Sequence, residues 1–256
     1  MAQRLASLRS WESSLTRFQC LDGFALKLIA LVTMTIDHLA ATGLVGGALY
    51  LPMRAVGRIA FPIYCFLLTE GFRHTRSRER YLGRLLFFAL LSEAPFDQAF
   101  FSGWFDRYNQ SVMLTLAIGL VVLWAMESAE PLMNRLFDGH PPRITVFAAQ
   151  VVPVWIGFLA GELLSTDYGG SGVLLIVLFY LLRDWPLTLA VVLVPFLYVC
   201  YHWLEVFGVL ALIPIYLYNG KPGRRLPGLV GKYGFYLYYP LHLLVLDLLR
   251  LALYGY

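Results

Sequence analysis

The chain has 256 residues, with 20 Lys and Arg against 16 Asp and Glu, a net charge of +4 and a pI near 9.0. Hydrophobic residues make up 59% and charged residues 14%, with a mean hydropathy of +0.66, which excludes a soluble globule and describes a polytopic membrane protein. Basic residues sit between apolar runs rather than in one patch, which excludes nucleic acid as a partner and makes them orientation signals.

Residues 1–23 carry charge ahead of any apolar run, unlike a cleaved signal peptide. Leu5, Leu8, Trp11 and Leu15 recur at helical spacing, which predicts an N-terminal arm lying on the membrane surface on the cytosolic side. The remainder, 24–256, reads as one all-α transmembrane domain of about nine helices, some short or broken by Pro and Gly. They are predicted at Phe24–Gly43, Met53–Phe72, Tyr81–Phe100, Val112–Glu127, Thr145–Leu164, Gly170–Leu182, Pro186–Tyr201, Trp203–Tyr218 and Tyr233–Leu251. An odd number puts the termini on opposite faces. With the N-terminus in the cytoplasm, that face collects Arg73–Arg84, Arg135, Arg143, Arg183, Lys221, Arg224 and Lys232, whereas the outer face has chiefly Arg107. That asymmetry follows the positive-inside rule and leaves the C-terminus outside.

The first helix sets Asp37 and His38 side by side toward the outer face, and ionisable groups at such depth normally face a partner or a wet cavity. Arg54 and Arg58, one turn apart, open the next helix; Glu93 and Asp97, one turn apart around Pro95, close the third. Asn109, Glu162, Asp167 and His202 also fall near outer ends, and His242 lies near mid-depth of the last helix behind Tyr238 and Tyr239. These residues predict a polar cavity in the outer half.

A histidine in such a cavity can take a proton from an amine or hydroxyl near neutral pH. Adjacent helix positions diverge by about 100°, so the partner of His38 is expected among Glu93, Asp97 and Asp167 rather than in Asp37. The alternative for Asp37 is an ion pair with Arg58, and for His38 and His242 a structural or packing role. Five Arg and His74 fall within the twelve positions from Arg73 to Arg84. Guanidinium groups there suit a donor with several phosphates, such as coenzyme A, or else anionic membrane lipid. "TDYGGSG" at 166–172 lacks the strand and Lys of a phosphate loop and reads as a capping turn that supplies Asp167 to the cavity. Cys20, Cys65 and Cys200 lie apart without metal-ligand spacing, so no metal is expected.

"LKLIALVTMTIDHLA", "RAVGRIAFPIYCFLLTEGFRHTRSRERYLGRLLFFALLSEAPFD", "NQSVMLTLAIGL", "TDYGGSGVLLIVLFY", "YNGKPGR" and "KYGFYLYYPLHLLVL" together resemble the TraX family, over roughly 26–246. Its founding member is associated with acetylation of the F-pilin N-terminus. "LDGFALKLIALVTMTIDH" is more loosely similar to the first helix of transmembrane acyltransferases, in which a Leu-Asp-Gly start leads to an essential His; Asp22 and His38 occupy the matching ends, and Lys27 is the nearest cation where that family has Arg.

The resemblance implies a multi-pass protein of the bacterial cytoplasmic membrane that moves an acetyl group from acetyl-CoA to an acceptor amine. Lys27, Arg73, His74, Arg76, Arg78, Arg80 and Arg84 would hold the donor. His38 would be the base or transient acetyl carrier, with Asp37 and His242 beside it. Glu93, Asp97 and Asp167 would draw a cationic acceptor, while Arg58 or Asn109 would steady the oxyanion. A peptide N-terminus or an amino-containing small molecule are the favoured acceptors, and a glycan hydroxyl is the alternative for the same site. A proton-coupled transporter or flippase is the competing function, since intramembrane charges and short helices suit one as well.

Overall fold

A computed structural model describes residues 18–101, 103, 106, 108–224 and 226–255. The surface arm expected at Leu5, Leu8, Trp11 and Leu15, and the outer Arg107, lie outside them. Helix α1 (Gly23–Ala41) opens where the Asp22 carboxylate accepts the Ala25 N–H at 2.8 Å, a side-chain cap on an otherwise unpaired donor. The next rod is built in pieces, a 3-10 turn at Gly47–Leu49, α2 (Tyr50–Gly57) and α3 (Ala60–His74), with its break at Arg58 and Ile59. Helix α4 (Arg78–Phe101) carries Pro95, and α5 (Val112–Leu136) starts after Ser111.

The sequence reading ends α5 at Glu127, but the helix continues more than two turns further. A hydropathy criterion stops at the last apolar residue, whereas a helix can project past that point with Glu127, Ser128 and Glu130 exposed. Helices α6 (Arg143–Leu163) and α7 (Gly169–Leu181) join through a tight turn, and Gly169 at φ +54° gives that turn its left-handed residue. After α8 (Pro186–Cys200), residues Trp203–Ala211 wind as 3-10 before the short α9 (Leu212–Tyr216). Helix α10 (Gly228–Tyr254) stops at Gly255, φ +77°.

Taken end to end, these pieces make nine rods among the described residues, with no strand and only two isolated parallel bridges. Five of the rods are long and apolar enough to cross a membrane: Gly23–Ala41, Gly47–His74, Val112–Leu136, Arg143–Leu163 and Gly228–Tyr254. The apolar helices α7 and α8 and the 203–216 rod are shorter. The core runs through α7, where Val173, Leu175, Ile176 and Phe179 are buried against α5 and α3; α6 buries only Gly157 and Gly161 and presents Phe147, Trp155, Ile156 and Leu163 outward.

Cross-links fix which ends lie together. At one end the Leu21↔Tyr218 bridge joins the start of α1 to the end of α9, and Arg183 pairs with Glu70 at 2.7 Å across α7 and α3. At the other, Gln110 bridges to Thr166, with the Asp167 N–H donating to the Gln110 carbonyl at 2.8 Å. Lys27, Arg73, Arg76, Arg78, Arg80, Arg84, Arg135, Arg143, Arg183, Lys221, Arg224 and Lys232 all belong to the first end, hereafter the basic end.

Candidate functional site

Near the far end, α1, α2 and the 3-10 segment meet on four buried or half-buried charges. Arg58 donates through one Nη to Asp37 at 2.6 Å and through the other to Glu205 at 2.5 Å; Arg54 holds the second oxygen of Asp37 at 2.6 Å. Two cations against two carboxylates leave the cluster neutral, which is how a low-dielectric interior tolerates it. The crossing is possible because residue 57 is glycine: a Cβ there would run into the Asp37 side chain. Glu205 was not among the residues singled out from the sequence, although an acid inside the apolar run 203–216 is the same signal that drew attention to Asp37.

At the next residue of α1, His38 Nδ1 lies 2.7 Å from His242 Nε2 of α10, the rings nearly parallel with centroids 5.0 Å apart. His242 Nδ1 is 2.9 Å from the Tyr238 carbonyl, and Tyr238 in turn bonds Thr35 at 2.8 Å. The partner of His38 is therefore a second histidine, not one of the three carboxylates expected from the sequence. Asp37 takes the alternative read for it, the ion pair with Arg58, and faces away as the 100° divergence requires.

The remaining acids divide by what they hold. Glu93 accepts the Ser111 hydroxyl at 2.7 Å and the Ser111 N–H, so it caps the start of α5 from α4. Asp97 accepts the Asp106 N–H at 2.8 Å, and Asn109 reaches Asp106 at 3.4 Å. Glu162 accepts the Gly170 N–H at 2.8 Å and ties the α6–α7 turn. Asp167 alone of this group is open: its side chain makes no hydrogen bond or ion pair among the described residues, and it lines the main cavity.

That cavity, about 530 Å³, extends from the basic end to the charge cluster. Lys27, His74, Arg84 and Lys232, from four different helices, line its basic end; Tyr64, Tyr81, Phe235 and Tyr236 line the walls; Met113, Asp167, Tyr168 and Tyr239 line the far end. The volume lies within the range of small-molecule sites, roughly 300–1,000 Å³. Neither His38 nor His242 lines it. Tyr239 is the residue shared by both sites, on the cavity wall and with its ring centroid 6.4 Å from His38 and 5.6 Å from His242.

Of the residues read as donor-binding, Lys27, His74 and Arg84 reach the cavity. Arg78 instead pairs with Glu127 at 2.6 Å, Arg73 bonds the Tyr180 carbonyl at 3.1 Å, and Arg76 and Arg80 are exposed away from it. The two proposed oxyanion donors are occupied, Arg58 by its carboxylates and Asn109 by Asp106. The sequence reading takes Lys232 as an orientation signal and gives no role to Tyr64, Tyr81 and Tyr236; the crowding of "KYGFYLYY" on one helix is the available signal.

The TraX protein family model matches residues 22–250. A probable fimbrial assembly protein FimC, serogroup H1, of Dichelobacter nodosus is 31% identical over 255 aligned residues, covering 88% of this chain and 94% of that protein. No solved structure matches. The matched region takes in every helix described above but the last turn of α10, from the Asp22 cap through the His38–His242 pair to Arg250, and this chain belongs to the TraX family.

Proposed function

We propose that the protein is a membrane-embedded acetyltransferase that takes its acetyl group from cytosolic acetyl-CoA and passes it to an acceptor amine reached from the outer side. The observation that carries the reading is the cavity itself, cationic at one end, aromatic along its walls and carboxylate-bearing at the other. Phosphates of the donor suit Lys27, Arg84, Lys232 and His74, and the narrow pantetheine arm suits the tyrosine-lined wall. A cationic amine suits Asp167, the one open carboxylate on that wall. The ammonium first gives one proton to a base and on to solvent; the neutral amine nitrogen then forms a bond to the thioester carbonyl carbon, the C–S bond breaks, and a second amine proton passes through the base to the departing thiolate.

The favoured base is His38, on the other side of Tyr239 from the cavity, so reaction needs the Tyr239 ring to move or the acceptor to arrive on the His38 side. The basic end belongs in the cytoplasm of a bacterial cell under the positive-inside rule, which puts Asp167 and His38 toward the outer leaflet. A relative described as a fimbrial assembly protein supports a protein N-terminus as acceptor, with a glycan hydroxyl as the alternative. Purified protein in nanodiscs, given acetyl-CoA carrying a labelled acetyl group and a peptide with a free N-terminus, is expected to release CoA and label the peptide. No CoA release with any amine or hydroxyl acceptor, together with donor-independent solute uptake in proteoliposomes, would replace this reading with a transporter.

A further inference from the structure

The histidine pair has a direction built into it. A backbone carbonyl only accepts hydrogen bonds, so His242 Nδ1, 2.9 Å from the Tyr238 carbonyl, must carry a proton. A neutral imidazole has one N–H. Neither ring contacts a carboxylate among the described residues, and the two cations that act on His38, Arg54 and Arg58, are themselves paired with Asp37 and Glu205. His242 is thus neutral, its Nε2 is bare, and at 2.7 Å it can only accept. His38 Nδ1 must then be the donor. The proton of His38 is used up on that bond, and its Nε2 is left as a lone pair with no hydrogen-bond partner among the described residues.

We infer that His38 Nε2 is the proton-accepting atom of this site, and that His242 is a positioning residue that holds His38 in the Nδ1–H tautomer through the chain Tyr238 carbonyl, His242, His38. The tautomer stands on geometry alone; its catalytic use rests on the acetyl-transfer reading above. The arrangement does with a second imidazole what a buried carboxylate does for histidine in a hydrolytic triad: it fixes which nitrogen faces the reactant. It differs in that a neutral acceptor adds no charge to a region already balanced between two arginines and two acids. The packing enforces the geometry. Tyr238 stacks on His242 at 5.1 Å and 10°, Phe100 packs edge-on against His38 at 5.3 Å, and the Thr35 bond locks Tyr238 to α1.

The test is nitrogen NMR of protein labelled with ¹⁵N-histidine in nanodiscs, without donor or acceptor, with His38→Gln and His242→Gln used to assign the two rings. Both rings are expected to be neutral with Nδ1 protonated, and a through-hydrogen-bond coupling is expected between His38 Nδ1 and His242 Nε2. In His242→Gln the amide oxygen still accepts from His38 Nδ1, so the tautomer should persist and kcat should fall by less than about tenfold. In His242→Leu the tautomers should interconvert and kcat should fall by about a hundredfold or more with little change in KM. His242→Asn, too short to reach His38, stands in if the leucine variant does not fold. A doubly protonated His242, a His38 protonated on Nε2, or a leucine variant with unaltered kcat would overturn the inference. If the spectrum is as described but wild-type protein transfers no acetyl group, the acetyl-transfer reading fails and the tautomer assignment survives.

Discussion

The Asp37 side chain occupies the space in which a Cβ of residue 57 would lie, so Gly57 sets how closely α1 and α2 approach. Gly57→Ala is expected to push Asp37 off Arg54 and Arg58 and to lower stability by about 1–3 kcal/mol, the usual cost of overpacking a well-filled interior. Thermal unfolding in detergent reads this directly. An unchanged midpoint would mean that the helices slide apart without loss.

Arg58 holds two carboxylates, and removing it strands Glu205 and leaves Asp37 with Arg54 alone. Arg58→Met should cost about 3–5 kcal/mol, the range for leaving a buried charge without its partner. Adding Glu205→Gln to that variant should recover most of the loss, because a neutral group there carries no desolvation penalty of that size and Asp37 keeps Arg54. Unfolding midpoints of the single and double variants measure the difference.

The Asp167 side chain makes no hydrogen bond or ion pair among the described residues, which separates its contribution from folding. Asp167→Asn is expected to leave the unfolding midpoint within about 0.5 kcal/mol of wild type. It should raise KM for a cationic peptide acceptor about tenfold or more, with less effect on an uncharged acceptor, as loss of a charge-assisted contact implies. Glu93→Gln behaves oppositely: by weakening the cap on Ser111 it lowers stability by about 1 kcal/mol.

Among the cations of the basic end, those on the cavity wall and those off it should differ. Lys232→Ala and Arg84→Ala are each expected to raise KM for acetyl-CoA about tenfold, whereas Arg76→Ala and Arg80→Ala should change it less than twofold. Steady-state kinetics at two salt concentrations provide the check, since the first pair should also show the steeper salt dependence.

Much of this architecture is legible in the sequence, for identifiable reasons. Runs such as 24–43 and 186–201 are both apolar and bounded by Asp22, Gly43 or Pro186, so composition and punctuation agree on their ends. The end of α5 was not legible, because a helix can outlast its apolar stretch. Nor was the 3-10 winding of Trp203–Ala211, since its apolar pattern is also that of an α-helix. The site divides in the same way. Arg54, Arg58, Asp37, His38 and Asp167 stand out as charge or imidazole in apolar context. Which of them pair depends on how four rods pack, and sequence spacing carries no information on contacts 147 or 204 positions apart, such as Arg58 with Glu205 or His38 with His242. The arginine run shows the same limit: Arg80 and Arg84 stand one turn apart on nearly the same face of α4, and only the depth at which that helix packs decides that Arg84 reaches the cavity and Arg80 does not.

The Gly169 turn and the Gln110–Thr166 bridge fasten Asp167 to the scaffold at the end opposite Lys27, Arg84 and Lys232. A molecule with a multiply negative head that enters between those cations therefore meets electrostatic repulsion at its destination and cannot pass through head first. On the acetyl-transfer proposal, what is handed on is then the short uncharged tail, and the carrier leaves by the door through which it came.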